Sequence, residues 1–231
     1  MNDLRYEKNR ILKLPTVLVG IFAHEDDEIL GPGGLFAKNV KKGGISHIIS
    51  FGGKDKKRAL ELKRGCERLN LTFESLGLIP VSSDNPIKQN SVISVLRDRI
   101  IELKPEFIVT HRKERDYHHE HQLVSFLSRE ALIRAQLPKV NHVAKGLLYT
   151  EGHSPHSYVH IFVDISEEYE EVVEAAKLHT SQMEKNNDYY LDTLSGRSLF
   201  RGSQAGCARA EAYIFEPLSI IGSMNRRNLG M

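Results

Sequence analysis

Two short stretches of this 231-residue sequence concentrate side chains that bind metal ions and move protons. His24-Glu25-Asp26-Asp27-Glu28 sets one imidazole and four carboxylates in five consecutive positions. Negative charges so close together repel one another unless something cationic neutralises them, and a divalent metal held by the imidazole and one carboxylate does so. Asp116-Tyr117-His118-His119-Glu120-His121 supplies three more imidazoles and two more carboxylates. A His/Asp/His set with one coordination position left open has the composition of a catalytic zinc site, because imidazole and carboxylate both suit Zn²⁺. Such a site acidifies water and polarises a carbonyl. Either stretch alone reads as a solvated loop. The two together are far more specific, and three histidines of the second compete for the role of ligand.

For two stretches almost a hundred residues apart to share one ion, the elements before them must end at the same edge of the fold. Pro15 to Phe22 is a continuous apolar, β-branched run, too short for a buried helix, and predicts a strand covered on both faces. The first cluster starts where that run stops. A Gly/Pro turn over Gly31 to Gly34 leads into a helix over Leu35 to Lys42, ended by Gly43-Gly44. Ile45 to Phe51 predicts a second strand, Lys56 to Leu69 a helix, and Glu74 to Leu78 a short strand. Beyond a turn-rich stretch, Ile93 to Leu103 has helical spacing, and Pro105 closes it before the buried strand Phe107 to Thr110. The second cluster lies in the loop that follows, before a helix over Leu123 to Ala135. Strands over Gly146 to Thr150 and His160 to Ile165, a helix over Glu167 to Thr180 and an extended segment over Ala210 to Phe215 complete the pattern. This alternation predicts an α/β, Rossmann-like domain spanning residues 1–231. Its mainly parallel sheet is covered by helices on both faces, and ligands bind beyond the carboxyl ends of the strands.

The order A-H-E-D-D-E, then G-P-G-G, then D-Y-H-H-E-H resembles the PIG-L/LmbE family of zinc-dependent N-acetylglucosaminyl deacetylases, whose pattern is A-H-P-D-D-E, G-x-G-G and a later H-P-D-H core. Glu25 stands in place of the proline, His119 in place of the later proline, and Glu120 in place of the aspartate; none of these changes removes a residue matching a metal ligand. The resemblance implies that His24, Asp27 and His121 hold Zn²⁺ and that Asp26 is the general base toward the water that attacks an amide carbonyl. It further implies that His118 polarises that carbonyl or stabilises its oxyanion. Glu28, Asp116 and Glu120 are then outer groups that orient the ligands or hold His118 charged. Arg58-Ala59-Leu60-Glu61 matches the family's R-x-x-E, His179-Thr180-Ser181-Gln182 its H-x-S-Q, and Arg201-Gly202 with Ala210-Glu211-Ala212-Tyr213 its endings. On this basis Arg58, His179, Gln182 and Arg201 are candidate substrate-binding residues. The implied activity is removal of an N-acyl group, acetyl in the family, from a small molecule containing an amino sugar. Two alternatives stay open: a metal-dependent amidase of another small-molecule conjugate, and a metal-containing sugar-binding module without catalysis.

Composition excludes several other classes. With 40% apolar and 27% charged residues the chain is neither fibrous nor disordered, and a net charge of +2 without an extended basic block argues against a nucleic-acid partner. No apolar run approaches the ~18 residues that span a bilayer, and two distant cysteines suit a reducing compartment, so a cytoplasmic location is expected, with homo-oligomerisation left open. G-P-G-G lacks the spacing of a dinucleotide fingerprint, and no G-x-S-x-G offers a serine nucleophile. His47, His142, His153, His156 and His160 are read as surface or core residues.

Overall fold

A computed structural model describes residues 14–78, 86–112, 116–136, 144–152, 154–185 and 189–218. His142 and His153 lie outside these. One sheet contains β1 (Val17–Phe22), β2 (Ile45–Ser50), β3 (Thr72–Ser75), β4 (Phe107–Thr110), β5 (Gly146–Thr150), β6 (Ile161–Asp164) and β7 (Ala210–Pro217), in the order β3-β2-β1-β4-β5-β7-β6. β1 to β5 pair in parallel, and only β7 runs against its neighbours. The helices are α1 (Asp27–Leu30), α2 (Gly33–Lys41), α3 (Lys56–Arg68), α4 (Pro86–Leu103), α5 (His119–Ala135), α6 (Tyr169–Lys177), α7 (Thr180–Lys185) and α8 (Tyr189–Ala205).

The apolar run of β1 is continuous because both of its faces are covered. Leu18 and Phe22 point into one core with Phe36, Leu62 and Val172 from α2, α3 and α6. Val19 and Ile21 point into the other with Leu96, Val124 and Leu127 from α4 and α5. Burying each such side chain contributes about 1.5–3 kcal/mol, so a one-residue slip of β1 would exchange both sets at once.

α2 starts at a place that, in nucleotide-binding folds, takes a phosphate. Here the amide groups of Gly34 and Leu35 donate to Glu211 of β7, at 2.7 and 2.9 Å. A Cβ on Gly34 would lie 2.5 Å from Ile165, so only glycine lets the helix end approach this closely. The chain's own carboxylate fills the anion site of the helix N-terminus, which ties G-P-G-G to A-E-A-Y across the fold.

Several elements differ from the sequence expectation, among them the short helices α1 and α7, which fall where a loop was expected and where one longer helix was expected to end. β3 lies two residues earlier, where Thr72 pairs with His47. α4 begins at Pro86, a residue well suited to the first helical position because it lacks only a hydrogen that would be unpaired there. α5 begins at His119, inside the second cluster rather than after it. α8 was not expected at all. Its buried positions Leu194, Arg197, Ser198, Arg201 and Gly202 have helical spacing, but four of the five are polar or lack a side chain, so no apolar period marks it.

Candidate metal centre

β1 and β4 are neighbours whose connections leave the sheet in opposite directions, and the crevice beyond such a pair is where ligands bind in open α/β sheets. From β1 the chain passes through Ala23 and His24 straight into α1, with Asp26 just before the helix and Asp27 as its first residue. From β4 it passes through His111, and His118 precedes α5, whose first turn carries Glu120 and His121. Two sequence-distant clusters therefore face each other.

His24 Nδ1 lies 3.1 Å from His121 Nε2 and 3.4 Å from Asp27 Oδ2, and His121 Nε2 lies 3.4 Å from Asp27 Oδ1. Metal bonds of about 2.0–2.1 Å meeting at tetrahedral angles put neighbouring donors about 3.3 Å apart, so this donor set fits one ion. Each side chain is held from behind. Glu120 Oε2 is 2.8 Å from His24 Nε2, Asp116 Oδ2 is 3.0 Å from His121 Nδ1, and the His24 amide donates to Asp27 Oδ2 at 2.8 Å. Such outer carboxylates choose the hydrogen-bearing ring nitrogen and turn the other toward the metal.

Without a metal, burial alone would lower both imidazoles, but Asp27 outweighs it, with Glu120 assisting at His24 and Asp116 at His121. Both are raised, His24 to about 9. Burial would raise Asp27, yet His121 and His111 hold it well below the ordinary carboxylate range.

Two further histidines adjoin the centre, and donor triplets Asp27-His111-His121 and His24-His118-His121 each gather within 4.8 Å. His111, not singled out in the sequence, is stacked on His121 with ring centres 3.9 Å apart. Its Nε2 accepts the amide hydrogen of Ala23 at 3.0 Å. The same nitrogen lies 3.3 Å from Asp27 Oδ2, so His111 packs beneath the cluster with its lone pair turned to the backbone. The available signal was its position, directly after a buried strand at the same sheet edge as Ala23. His118 contacts the rings of His24 and His121 at 4.7 and 4.6 Å. Its expected carboxylate partners are engaged elsewhere, Glu120 with His24 and Asp116 Oδ2 with His121, and Asp116 Oδ1 accepts only the backbone amide of His118. Burial, with His121 and His24 adding to it, lowers the His118 imidazole. This direction runs against the raised value that a carboxylate partner would give.

Asp26, 6% exposed, accepts a hydrogen bond from Arg58 Nη2 at 2.9 Å. Asp26, Asp27, His111 and His121 line a cavity of about 30 Å³, and its opposite wall is Thr150 to Gly152 together with Tyr190, Thr193 and Arg197 of α8. The α8 residues were missed with the helix that carries them. The other expected contacts lie outside this lining. Glu28 is fully buried with its Oε1 3.3 Å from His179 Nε2, so both face the core rather than the ligands. Gln182 is buried and donates to Ser181 Oγ at 3.1 Å. Arg201 is buried in a paired contact with Glu151 and the His156 carbonyl. Glu61 accepts from Thr180 Oγ1, Ser181 Oγ and the Ser181 amide, so R-x-x-E and H-x-S-Q meet as a packing joint between α3 and α7. His47, His156 and His160 are likewise structural, bonded to Thr72, to the Tyr149 carbonyl and to the Phe215 amide.

An α/β sheet with a His/Asp donor cluster at its switch point defines the class of the protein. Residues 19–132, the stretch that supplies both clusters, match the family described as GlcNAc-PI de-N-acetylase, PIG-L, and the chain belongs to that family. A comparison with curated proteins found no match. Among solved structures, the 4-carboxy-2-hydroxymuconate hydratase GalB from Pseudomonas putida superposes with a TM-score of 0.75 at 20% identity, over 89% of this chain and 98% of that one. The N,N'-diacetylchitobiose deacetylase from Pyrococcus horikoshii gives 0.71 at 18%, over 92% and 88%. The zinc-inhibited form of teicoplanin deacetylase Orf2 gives 0.63 at 14%, over 88% and 100%. At these identities the likeness is one of fold, and the same fold serves a hydratase as well as deacetylases.

Proposed function

We propose that the chain is a zinc-dependent N-deacylase that removes a short acyl group, acetyl in the first instance, from a small molecule containing an amino sugar. The observation that carries this reading is the meeting of His24 Nδ1, Asp27 and His121 Nε2 at 3.1–3.4 Å with Asp26 beside them. His24, Asp27 and His121 would hold the ion, which when bound supplies Lewis acidity toward water and a carbonyl. Asp26 is placed to accept a proton from the attacking water and pass it to the leaving nitrogen. His118, against the rings of His24 and His121, would offer a hydrogen bond to the carbonyl oxygen as it gains charge.

The test is amine release from a panel of N-acetylated sugars and N-acetylated non-sugar amides by zinc-loaded protein, with Asp26→Asn as control. We expect release from the sugars and a fall of about 100-fold or more in kcat for the control at unchanged zinc content. Release only from non-sugar amides would move the chain to the broader amidase reading. Sugar binding without release from any substrate would make it a binding module.

A further inference from the structure

Glu25 occupies the position where the family pattern has proline, and it is only 4% exposed. Its Oε1 accepts the Gly53 amide hydrogen at 2.7 Å, and its Oε2 lies 3.3 Å from Arg58 Nε. The same guanidinium presents Nη2 to Asp26 Oδ1 at 2.9 Å. Asp55 accepts the amide hydrogens of Lys57 and Arg58 at 2.8 and 3.2 Å, which fixes the start of α3 and hence the root of the arginine. Gly52 leaves the room that this carboxylate occupies: a Cβ there would lie 2.3–2.6 Å from the Glu25 carboxyl atoms.

A guanidinium is planar, so holding its Nε edge fixes the direction in which Nη2 points. Proline at position 25 could neither accept the Gly53 hydrogen nor hold that edge, and Arg58 would keep the freedom of a long side chain. From this geometry we infer that Glu25 is a positioning residue which, through Arg58, sets the orientation of Asp26 toward the centre. The catalytic part of the inference rests on the hydrolase reading above. Nε and Nη2 of Arg58 thus both face carboxylates of the first cluster.

The test uses full-length zinc-loaded protein labelled with ¹⁵N-arginine, in the wild type, Glu25→Gln, Glu25→Asp and Gly52→Ala. The Arg58 Nε–H resonance is assigned by its disappearance in Arg58→Lys. Gly52→Ala removes no polar group and only displaces the carboxylate, so it checks the same geometry independently. Glu25→Gln and Gly52→Ala should both shift the Arg58 resonance and keep full zinc content. Both should lower kcat by about tenfold or more at nearly constant KM, as expected when a reacting group is misdirected. The double variant should be no worse than either single one, and Glu25→Asp should recover part of the loss. An unmoved Arg58 resonance in both variants overturns the inference. So does a shifted resonance with unchanged kcat, or a loss confined to KM. If the wild type itself releases no amine, the hydrolase reading fails, while a shifted Arg58 resonance in both variants still upholds the orienting role of Glu25.

Discussion

His24 and His121 present different ring nitrogens to the centre, and in each case a carboxylate on the far nitrogen makes the choice. Replacing His24, Asp27 or His121 by alanine should therefore abolish stoichiometric zinc binding. Glu120→Gln and Asp116→Asn should weaken it by about 10- to 100-fold without abolishing it. Metal analysis after gel filtration, with competition titration for the weaker losses, separates the two groups. Metal uptake must also displace protons from these two imidazoles. Both are raised above the ordinary histidine value, so protons are retained at neutral pH and lost only as pH climbs toward 9, the value for His24. Zinc affinity should accordingly rise about tenfold or more per pH unit between about pH 6 and 9, with at least one proton released per ion at pH 7. Calorimetry in buffers of different ionisation enthalpy measures that release directly, and release of none would contradict the raised imidazoles.

Among the helices, α8 is fastened by polar contacts where α2 and α5 are fastened by apolar ones. Arg197, 8% exposed, donates to the carbonyls of Leu30, Gly31 and Gly152, and so ties α8 to the end of α1 and to the loop after β5. Arg197→Met would leave these carbonyls without donors in a buried place, at a cost of about 2–4 kcal/mol. Urea unfolding should show that loss, and Arg197→Lys should recover little of it because a single ammonium cannot reproduce the fork. α1 is tied in a different way, through Glu28 and His179. Burial raises the Glu28 carboxyl to about 7, with His179 opposing that rise. A carboxyl whose folded value lies above its unfolded one binds more protons when folded, so its contribution is full below about pH 4.5 and fades as pH rises through 7. Glu28→Gln should therefore gain stability relative to the wild type by up to about 3 kcal/mol between pH 5 and 8. Paired denaturation curves across that range check the sign, and a constant difference would show that Glu28 does not titrate there.

For the molecule as a whole, the centre joins loops that meet only because β1 and β4 are adjacent in the sheet. A zinc ion held as proposed would bind the folded chain and find no comparable site in the unfolded one, so it should stabilise the fold. A free concentration 100 times Kd corresponds to about 2.7 kcal/mol. Thermal unfolding with zinc and with a chelator should differ by several degrees, and the difference should vanish in His121→Ala. Among the described residues no helix is long and apolar enough to cross a membrane.

The two clusters that meet at the candidate centre were legible in the sequence because charge and imidazole crowded into a few positions cannot be hidden by folding, and the strands before them because β-branched runs covered on both faces carry their own signal. The sheet's parallel character followed from the alternation of those runs with helices, and the antiparallel β7 at its far side did not disturb it. Two things needed the tertiary structure. One was α8, whose buried face is built from Arg197, Ser198, Arg201 and Gly202, so that burial and hydrophobicity part company and the periodic signal is lost. The other was the sorting of partners within the clusters. Sequence spacing puts Glu120 and Asp116 within five residues of both His118 and His121, and only the packing of distant segments gives Glu120 to His24, Asp116 to His121 and Glu28 to His179. Residue type fixes which chemistry a chain can perform, whereas hydrogen bonds a few ångströms long, set by packing between distant segments, decide which side chain performs it.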